Sequence, residues 1–254
     1  MPDEGVGVFQ REIARLVLEA IGTDGFALAG SLAVQVHGIL ERPTQDIDLF
    51  TAPITAAQFS AAVDQAVAAL QDAGLTVRRV RTAQQFARLI VVDVAGRSTD
   101  VDLGVDWRAH EPTPMSVGPV LDIRDACANK VLAVYSRGEV RDFIDLDAIR
   151  VSGPFDDAEL LALAAEHDPG FDRAVFAQQL AAGVALSAHD YSRYGLGADA
   201  STSIKNRLAD WADTLVPQVP QRGASTYPSS PRGGAPSPHG GRWAGPDEQV
   251  RPSL

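Results

Sequence analysis

Asp46 and Asp48, two aspartates separated by one residue, are the side chains whose spacing points most directly to chemistry. In an extended strand, alternate side chains share a face, so both carboxylates point the same way while Ile47 and Leu49 point into the core. Two carboxylates this close repel each other unless a cation lies between them. Hard oxygen ligands suit Mg²⁺ and also accept Mn²⁺. The pair therefore predicts a metal site, with two solvated aspartates on an edge strand as the structural alternative.

Gly30 and Ser31 come before this pair, at the predicted junction of a short strand and a helix. Free backbone N–H groups at a helix N-terminus form an anion site, and Ser31 adds a hydroxyl and is expected to cap the helix. A phosphate-binding turn beside a metal-binding acidic pair suits a nucleoside triphosphate, whose phosphates the metals would hold. One metal would also lower the pKa of an attacking hydroxyl, and the other would stabilise the pyrophosphate leaving group. Arg42 is a candidate contact for the triphosphate, and bracing of its own loop is an equal alternative.

A third carboxylate is expected on a neighbouring strand. Asp100 and Asp102 alternate with apolar residues in the segment TDVDL and share one face. We select Asp102 as the third metal ligand, because the strand continues beyond it. Asp100 stays open as the alternative, and Asp93 is a weaker candidate.

Lys130 lies on a strongly apolar predicted helix, where an unpaired ammonium group is costly to bury. We therefore expect Lys130 to point into a polar cleft and to contact triphosphate oxygens. Asp142 and Asp145 are three residues apart on the next predicted helix and nearly share a face. Asp145 is selected as the partner, either orienting Lys130 or accepting a proton from the nucleophile, and Asp142 stays open as the alternative partner. A purely structural ion pair between helices is the alternative.

Together these blocks resemble the AbiEii/AbiGii nucleotidyltransferase family of the polymerase-β-like superfamily. The resemblance covers roughly residues 9–150 and is carried by Gly30-Ser31, by RPTQDIDL over 42–49, by Lys130 and by RDFIDL over 141–146. It implies a catalytic aspartate pair at Asp46 and Asp48, a nucleotide-binding Gly-Ser turn, and a catalytic Lys130 and Asp145. It also implies a toxin of a type IV toxin–antitoxin system with a cognate antitoxin. Some members transfer a nucleotide to the 3′ end of tRNA.

The elements that must position these residues form an α/β fold, with a small mixed β-sheet in the first half and a helical C-terminal half. Apolar periodicity and turn residues predict strands at 26–29, 46–50, 76–81, 87–94 and 99–105. They predict helices at 9–21, 31–39, 55–73, 123–135, 141–150, 156–166, 172–186 and 201–215, the sixth with a capping box at Asp156 and Glu159. Past Pro114 the pattern is almost wholly helical.

We expect three regions. Residues 1–115 form the nucleotidyltransferase core, 116–216 form a helical domain that completes the active site, and 217–254 form a disordered tail. The tail holds eight of the sixteen prolines and six glycines, so it buries too little apolar surface to offset its chain entropy.

The composition excludes several classes of protein. No apolar run approaches the ~20 residues that cross a membrane, and the acidic N-terminus lacks a signal-peptide pattern, so a cytoplasmic location is expected. The single cysteine, Cys127, excludes an intrachain disulfide and predicts a small buried residue. A net charge of −11 opposes non-specific binding to phosphate backbones, although arginines cluster locally over residues 78–88 and 137–150.

Two further functions stay open from the sequence. One keeps the reaction but changes the acceptor to an aminoglycoside-like small molecule or a protein hydroxyl, since an acidic surface attracts a cationic drug. The other is a non-catalytic nucleotide-binding protein.

Overall fold

A computed structural model of the protein describes residues 4–215, with side chains from residue 7 onward. The N-terminal half contains α1 (Glu4–Ile21), β1 (Ala27–Ala29), α2 (Gly30–Val36), β2 (Asp46–Thr51), α3 (Ala56–Asp72), β3 (Thr76–Ala83), β4 (Phe86–Val92) and β5 (Ser98–Val105). The remaining elements are β6 (Thr113–Met115), β7 (Gly118–Val120), α4 (Ile123–Ser136), α5 (Val140–Ser152), α6 (Asp157–His167), α7 (Arg173–Ala185), α8 (Ala188–Ser192) and α9 (Ala198–Leu215). The predicted α/β class with a helical second half is confirmed.

The strands form one mixed sheet in the order β3-β4-β5-β2-β1-β7-β6. β2 lies at its centre and pairs with β1 antiparallel and with β5 parallel. The central position of β2 excludes the alternative in which the two aspartates lie on a solvated edge strand. The remaining parallel pair is β1 with β7, whereas β3, β4 and β5 form an antiparallel meander.

Each face of the sheet has its own apolar core. α1 and α3 cover one face, and their side chains pack on Ile47, Leu49, Val101 and Leu103 of the two central strands. The helices α4 to α9 form the second core, which reaches the opposite face through Ala27 and Ala29 of β1. The second apolar core therefore packs on the sheet at β1. The polar side chains of β2 and β5 lie on the same face, beside α2 and α5, and are not part of that core. Cys127 is buried in the second core, as expected.

Local capping signals explain where several helices begin. Thr55 and Gln58 exchange hydrogen bonds in a capping box at the start of α3, and Asp156 and Glu159 do the same at α6, as predicted from their spacing. At α5 the backbone N–H of Glu139 donates to Asp142 Oδ2 over 3.2 Å. Asp142 is thus bound to the first turn of its own helix.

Three local expectations were wrong. β6 and β7 interrupt the region predicted as helical past Pro114, because three-residue strands are too short to show a period of two. The short helix α8 was also not predicted. Ser31 does not cap α2: the N-cap is Ala29, and the Ser31 hydroxyl bonds to side chains from other elements instead.

The predicted boundary between residues 115 and 116 falls inside the β6–β7 hairpin, and β7 belongs to the sheet through its pairing with β1. The division into domains stays a prediction, and the predicted tail over 217–254 lies outside the described residues. Within residues 4–215, no helix has the length and apolarity needed to cross a bilayer.

Candidate active site

The register of β2 and β5 places four carboxylates on one face of the sheet. Asp46 lies opposite Asp100, and Asp48 lies opposite Asp102. Their neighbours along each strand point into the α1–α3 core, so the aspartates point to the other face, as strand alternation predicted. Asp102 is nearly buried and Asp48 is half-buried. The sheet therefore concentrates negative charge at its centre, where the helical half adjoins it.

Gly30 lies directly beneath the Asp48 carboxylate. Its φ is +62°, and a Cβ built on it would lie 1.8 Å from Asp48 Oδ2. Only glycine provides both the left-handed backbone and the space that this approach requires. The Gly-Ser turn and the acidic pair, which the sequence suggested separately, are thus in contact.

We expect Gly30→Ala to displace the Asp48 carboxylate and to destabilise the protein more than Gly38→Ala. Both glycines have positive φ, but nothing lies within 4 Å of a Cβ at Gly38. Alanine should therefore cost about 1–2 kcal/mol at either position for the backbone, and at Gly30 about 1–3 kcal/mol more for the collision. Urea unfolding of the two variants measures the difference, and equal losses would contradict the packing described here.

Ser31, Arg42, Lys130 and Asp145 form a closed polar network beside this turn. Ser31 Oγ donates to Asp145 Oδ2 over 2.8 Å and accepts from Lys130 Nζ at 2.8 Å and Arg42 Nη2 at 2.9 Å. Lys130 Nζ also lies 2.7 Å from Asp145 Oδ2, and Arg42 Nε donates to Asp145 Oδ1 over 2.6 Å. Asp145 is therefore the aspartate that pairs with Lys130, and Asp142 binds Arg137 instead.

The Asp145 carboxylate is suited to orienting these cations. Burial opposes its ionisation, but the charge of Lys130 and the hydrogen bond from Arg42 prevail and hold the pKa of Asp145 below its ordinary value. A carboxylate with a lowered pKa is a weak base. Asp145 is consequently better suited to positioning Lys130 and Arg42 than to accepting a proton.

Asp48 has the opposite electrostatic environment. Burial and the neighbouring charge of Asp46 raise the pKa of Asp48 to about 6, and Lys130 opposes the rise. Asp102 adds to the repulsion. An acidic cluster whose members repel one another in this way is the environment that a bound cation stabilises.

Guanidinium groups bind the outer carboxylates of the cluster. Arg141 Nη1 donates to Asp46 Oδ2 over 2.9 Å, and Arg88 binds Asp102 with two hydrogen bonds of 2.7 and 2.5 Å. In the sequence, both arginines belong to local arginine clusters, and Arg141 also begins the RDFIDL motif. Their pairing with aspartates from distant segments has no signal in a single sequence.

A cleft of about 1120 Å³ opens above these groups. It lies between the sheet, the start of α5 and the loop after α8, and Asp46 and Asp100 contribute to its wall. Five arginines line it: Arg42, Arg88, Arg97, Arg141 and Arg193. Tyr194 borders the same cleft, with the Arg42 guanidinium 5.8 Å from its ring centroid. The cleft is therefore rich in arginine although the whole chain is acidic, and within the described residues carboxylates pair with four of the five, all except Arg193.

Asp46 and Asp48 have the donor chemistry that a divalent cation requires. Their oxygens are hard ligands on one face of a central strand, and a Mg²⁺ site of one or two carboxylates takes its other ligands from water and substrate phosphates. Among the residues with described side chains, no group of three acidic, histidine or cysteine residues has a metal-binding arrangement, and Arg88 binds the predicted third ligand, Asp102. The acidic pair fits a cation, and a role for Asp102 stays a prediction.

The structure brings together most of the residues selected from the sequence. Asp48 contacts Gly30 and is influenced by Lys130, while Ser31, Arg42, Lys130 and Asp145 form one network. Asp46 and Arg42 line the cleft, whereas the other selected residues lie beneath these two and do not line it. The residues that sequence reasoning did not select are Arg88, Arg141, Arg193 and Tyr194.

Comparison with known proteins identifies the class. The family described as "Nucleotidyl transferase AbiEii toxin, Type IV TA system" matches residues 14–224. A comparison with curated proteins gave no significant match.

Three solved structures share the fold at 14% sequence identity. JHP933 and a putative nucleotidyltransferase, both from Helicobacter pylori, each superpose with a TM-score of 0.53 over 82% of this chain and 91% or 94% of their own chains. The MenT4 nucleotidyltransferase toxin of Mycobacterium tuberculosis superposes with a TM-score of 0.57 over 82% of this chain and 83% of its own.

The fold and the family match define a nucleotidyltransferase. The chain belongs to the AbiEii family of nucleotidyltransferase toxins of type IV toxin–antitoxin systems.

Proposed function

We propose that this protein transfers a nucleoside monophosphate from a nucleoside triphosphate to an acceptor hydroxyl, at the 3′ end of tRNA, in a Mg²⁺-dependent reaction. The observation that carries the proposal is the contact between Asp48 and Gly30. This contact joins the acidic pair to the cationic network of Lys130 and Arg42, and the cleft above is large enough for a nucleotide. The family also implies a cognate antitoxin.

Each cation of the network keeps hydrogen atoms for a substrate. Lys130 Nζ has three N–H groups and gives two to Ser31 and Asp145. Arg42 Nη1 gives one bond, of 3.1 Å, to the carbonyl oxygen of Pro43 and retains another N–H. These N–H groups are suited to triphosphate oxygens, and their preorganisation by Asp145 avoids a reorganisation cost during the reaction.

The reaction exchanges one phosphorus–oxygen bond for another. The acceptor hydroxyl gives its proton to water as its oxygen forms a bond to the α-phosphorus, the bond from that phosphorus to the bridging oxygen breaks, and pyrophosphate leaves. A divalent cation held by Asp46 and Asp48 would neutralise phosphate charge and acidify the acceptor hydroxyl. Lys130 and Arg42 would hold the charge that develops on the leaving group.

Incubation with radiolabelled nucleotide and total tRNA tests the proposal. We expect label on tRNA with one or more of the four triphosphates, only when Mg²⁺ or Mn²⁺ is present, and no label after chelation with EDTA. Labelling of a small molecule or protein but not RNA would overturn the acceptor. Absence of transfer from every triphosphate with either metal would overturn the reaction.

A further inference from the structure

The sheet has an uncovered surface next to the active site. The face of β3 and β4 that lies opposite the α1–α3 core carries exposed or half-buried side chains, which we call the open face: Arg78, Arg81, Phe86, Arg88 and Ile90. On the adjoining strand β5, Asp100 is half-buried on the same side, opposite Ile90. The alternate residues Ala87, Leu89 and Val91 are buried in the core. The alternation therefore assigns each residue to its side of the sheet.

Strand register arranges the open face in rows that run to the catalytic strand. Arg81 lies opposite Arg88, which lies opposite Asp102, which lies opposite Asp48. Neighbouring strands are about 4.8 Å apart, so three steps place the Arg81 backbone roughly 14 Å from that of Asp48. A few nucleotides of an extended single strand span this distance.

The next row of the open face is aromatic. Phe86 lies opposite Gly104, which lies opposite Phe50, and the three border a shallow cavity of about 630 Å³ with Gln84 and Gln85. Gly104 leaves room for the Phe50 ring, since a Cβ there would lie 3.2 Å from it. The guanidinium of Arg81 lies 5.4 Å from the centroid of the Phe86 ring. Aromatic rings and arginines on an open sheet are the means by which proteins stack and neutralise single-stranded nucleic acid.

The charge of this surface also fits a polyanion. Arg78 and Arg81 form no ion pair with any side chain in the described part of the chain, and only Arg88 is neutralised, by Asp102. Arg79, between them in sequence, points to the other side and binds Asp64 of α3. In a chain of net charge −11, cations left unpaired beside a catalytic cleft indicate an anionic ligand.

We propose that the open face binds the single-stranded end of the acceptor RNA, with phosphates on Arg78 and Arg81 and a base stacked on Phe86. This inference rests on the proposed function, and it extends that function by naming the surface that carries the acceptor to the active site. The strand enters across β3 and β4, and its terminal hydroxyl reaches the acidic pair on β2.

Arg81→Glu and Arg79→Glu are a matched pair that tests the surface. Both change the same charge by the same amount on the same strand, but only Arg81 belongs to the open face. Fluorescence anisotropy with a short labelled single-stranded RNA, in EDTA and without nucleotide, should show binding about tenfold weaker for Arg81→Glu. The salt slope should fall in magnitude by about 0.7 for each lost phosphate contact, and Arg79→Glu should bind within about twofold of wild type.

Phe86→Leu keeps the side chain apolar but removes the stacking surface, and we expect about tenfold weaker binding with an unchanged salt slope. Thermal unfolding of each variant confirms that it is folded. If an acidic partner protein occupies the open face instead, Arg81→Glu and Arg79→Glu will bind RNA equally, and the proposal is overturned.

The binding assay also separates this inference from the proposed function. If the protein transfers no nucleotide but Arg81→Glu still weakens RNA binding and Arg79→Glu does not, the RNA-binding surface is retained and the reaction is rejected. Unimpaired RNA labelling and binding by Arg81→Glu would retain the reaction and reject the surface.

Discussion

Asp48→Asn should lower nucleotide transfer by at least about 10³-fold while stabilising the metal-free protein. The amide removes one hard anionic ligand and the charge that a cation requires, and such interactions supply several kcal/mol to the transition state, at about 1.4 kcal/mol for each tenfold change in rate. The amide keeps the shape of the carboxyl group above Gly30, so the fold is retained. Transfer of labelled nucleotide measures the loss.

The stabilisation follows from the raised pKa of Asp48. A carboxyl whose pKa rises from 3.8 to about 6 on folding costs the folded state about 1–3 kcal/mol once it is ionised, the lower value allowing for screening at a half-buried site. The folded state binds more protons between these two values. The contribution of Asp48 therefore destabilises the protein progressively as pH rises from about 4 to about 6, and stays constant above that.

Thermal unfolding in EDTA at pH 4 and at pH 7.5 tests this dependence. Wild type and Asp48→Asn should unfold at similar temperatures at pH 4, and the asparagine variant should be the more stable at pH 7.5. Asp64→Asn is the control, because Asp64 is exposed and pairs with Arg79 on the far side of the sheet. A loss of stability in Asp48→Asn at neutral pH, or transfer that persists, would contradict the electrostatic role described for this residue.

Asp145→Ala should unfold more easily than wild type by about 3–5 kcal/mol and should lose transfer. Asp145 is fully buried and accepts from Ser31, Lys130 and Arg42. Alanine leaves the nearly buried ammonium of Lys130 without its counter-charge, and an uncompensated buried charge has a cost of this size. Urea unfolding measures the loss of stability.

Asp147→Ala is the matched control on the same helix. Asp147 is also nearly buried, and Arg207 binds it with two hydrogen bonds of 2.7 Å. Arg207 is 42% exposed, so water can solvate it after the substitution. We expect a smaller loss of stability and normal transfer per folded molecule.

A double variant separates the stability of the network from its chemistry. Lys130→Met/Asp145→Leu removes the buried ion pair of these two residues, and apolar replacements of an ion pair are often neutral or stabilising. It leaves Arg42, whose side chain is 11% exposed, without its carboxylate partner, so the recovery is incomplete. We expect it to recover part of the stability lost in Asp145→Ala without any recovery of transfer. Recovery of transfer in the double variant would show that Lys130 and Asp145 serve only the fold.

Much of the architecture was predictable from local patterns. The alternation over Asp46–Phe50 identified a strand and assigned the carboxylates to one face, because side-chain direction has a period of two. The stripes of α1 and α3 and the capping box of α6 identified helices in the same way. β6, β7 and α8 were missed because each is too short for a period to develop.

The contacts between the site residues could not be predicted from local patterns in the same way. Ser31 and Asp145 are separated by 114 positions and yet share a hydrogen bond, and no local pattern predicts that contact. The residues bound to the acidic cluster, Arg141 and Arg88, show the limit more clearly. Nothing in the neighbourhood of either arginine indicates which carboxylate it binds.

The amino-acid sequence alone determined the secondary structure of the central elements, the shared face of Asp46 and Asp48, and the family, since each depends on local spacing or on short motifs. Tertiary structure alone decided that Asp145 rather than Asp142 binds Lys130 and that Arg88 binds Asp102. It also decided that Arg78 and Arg81 lie on an open surface of the sheet. The physical reason is that an ion pair forms only between side chains that the fold brings together in the right geometry, here from neighbouring helices or neighbouring strands. That packing is settled by apolar contacts spread over the whole chain.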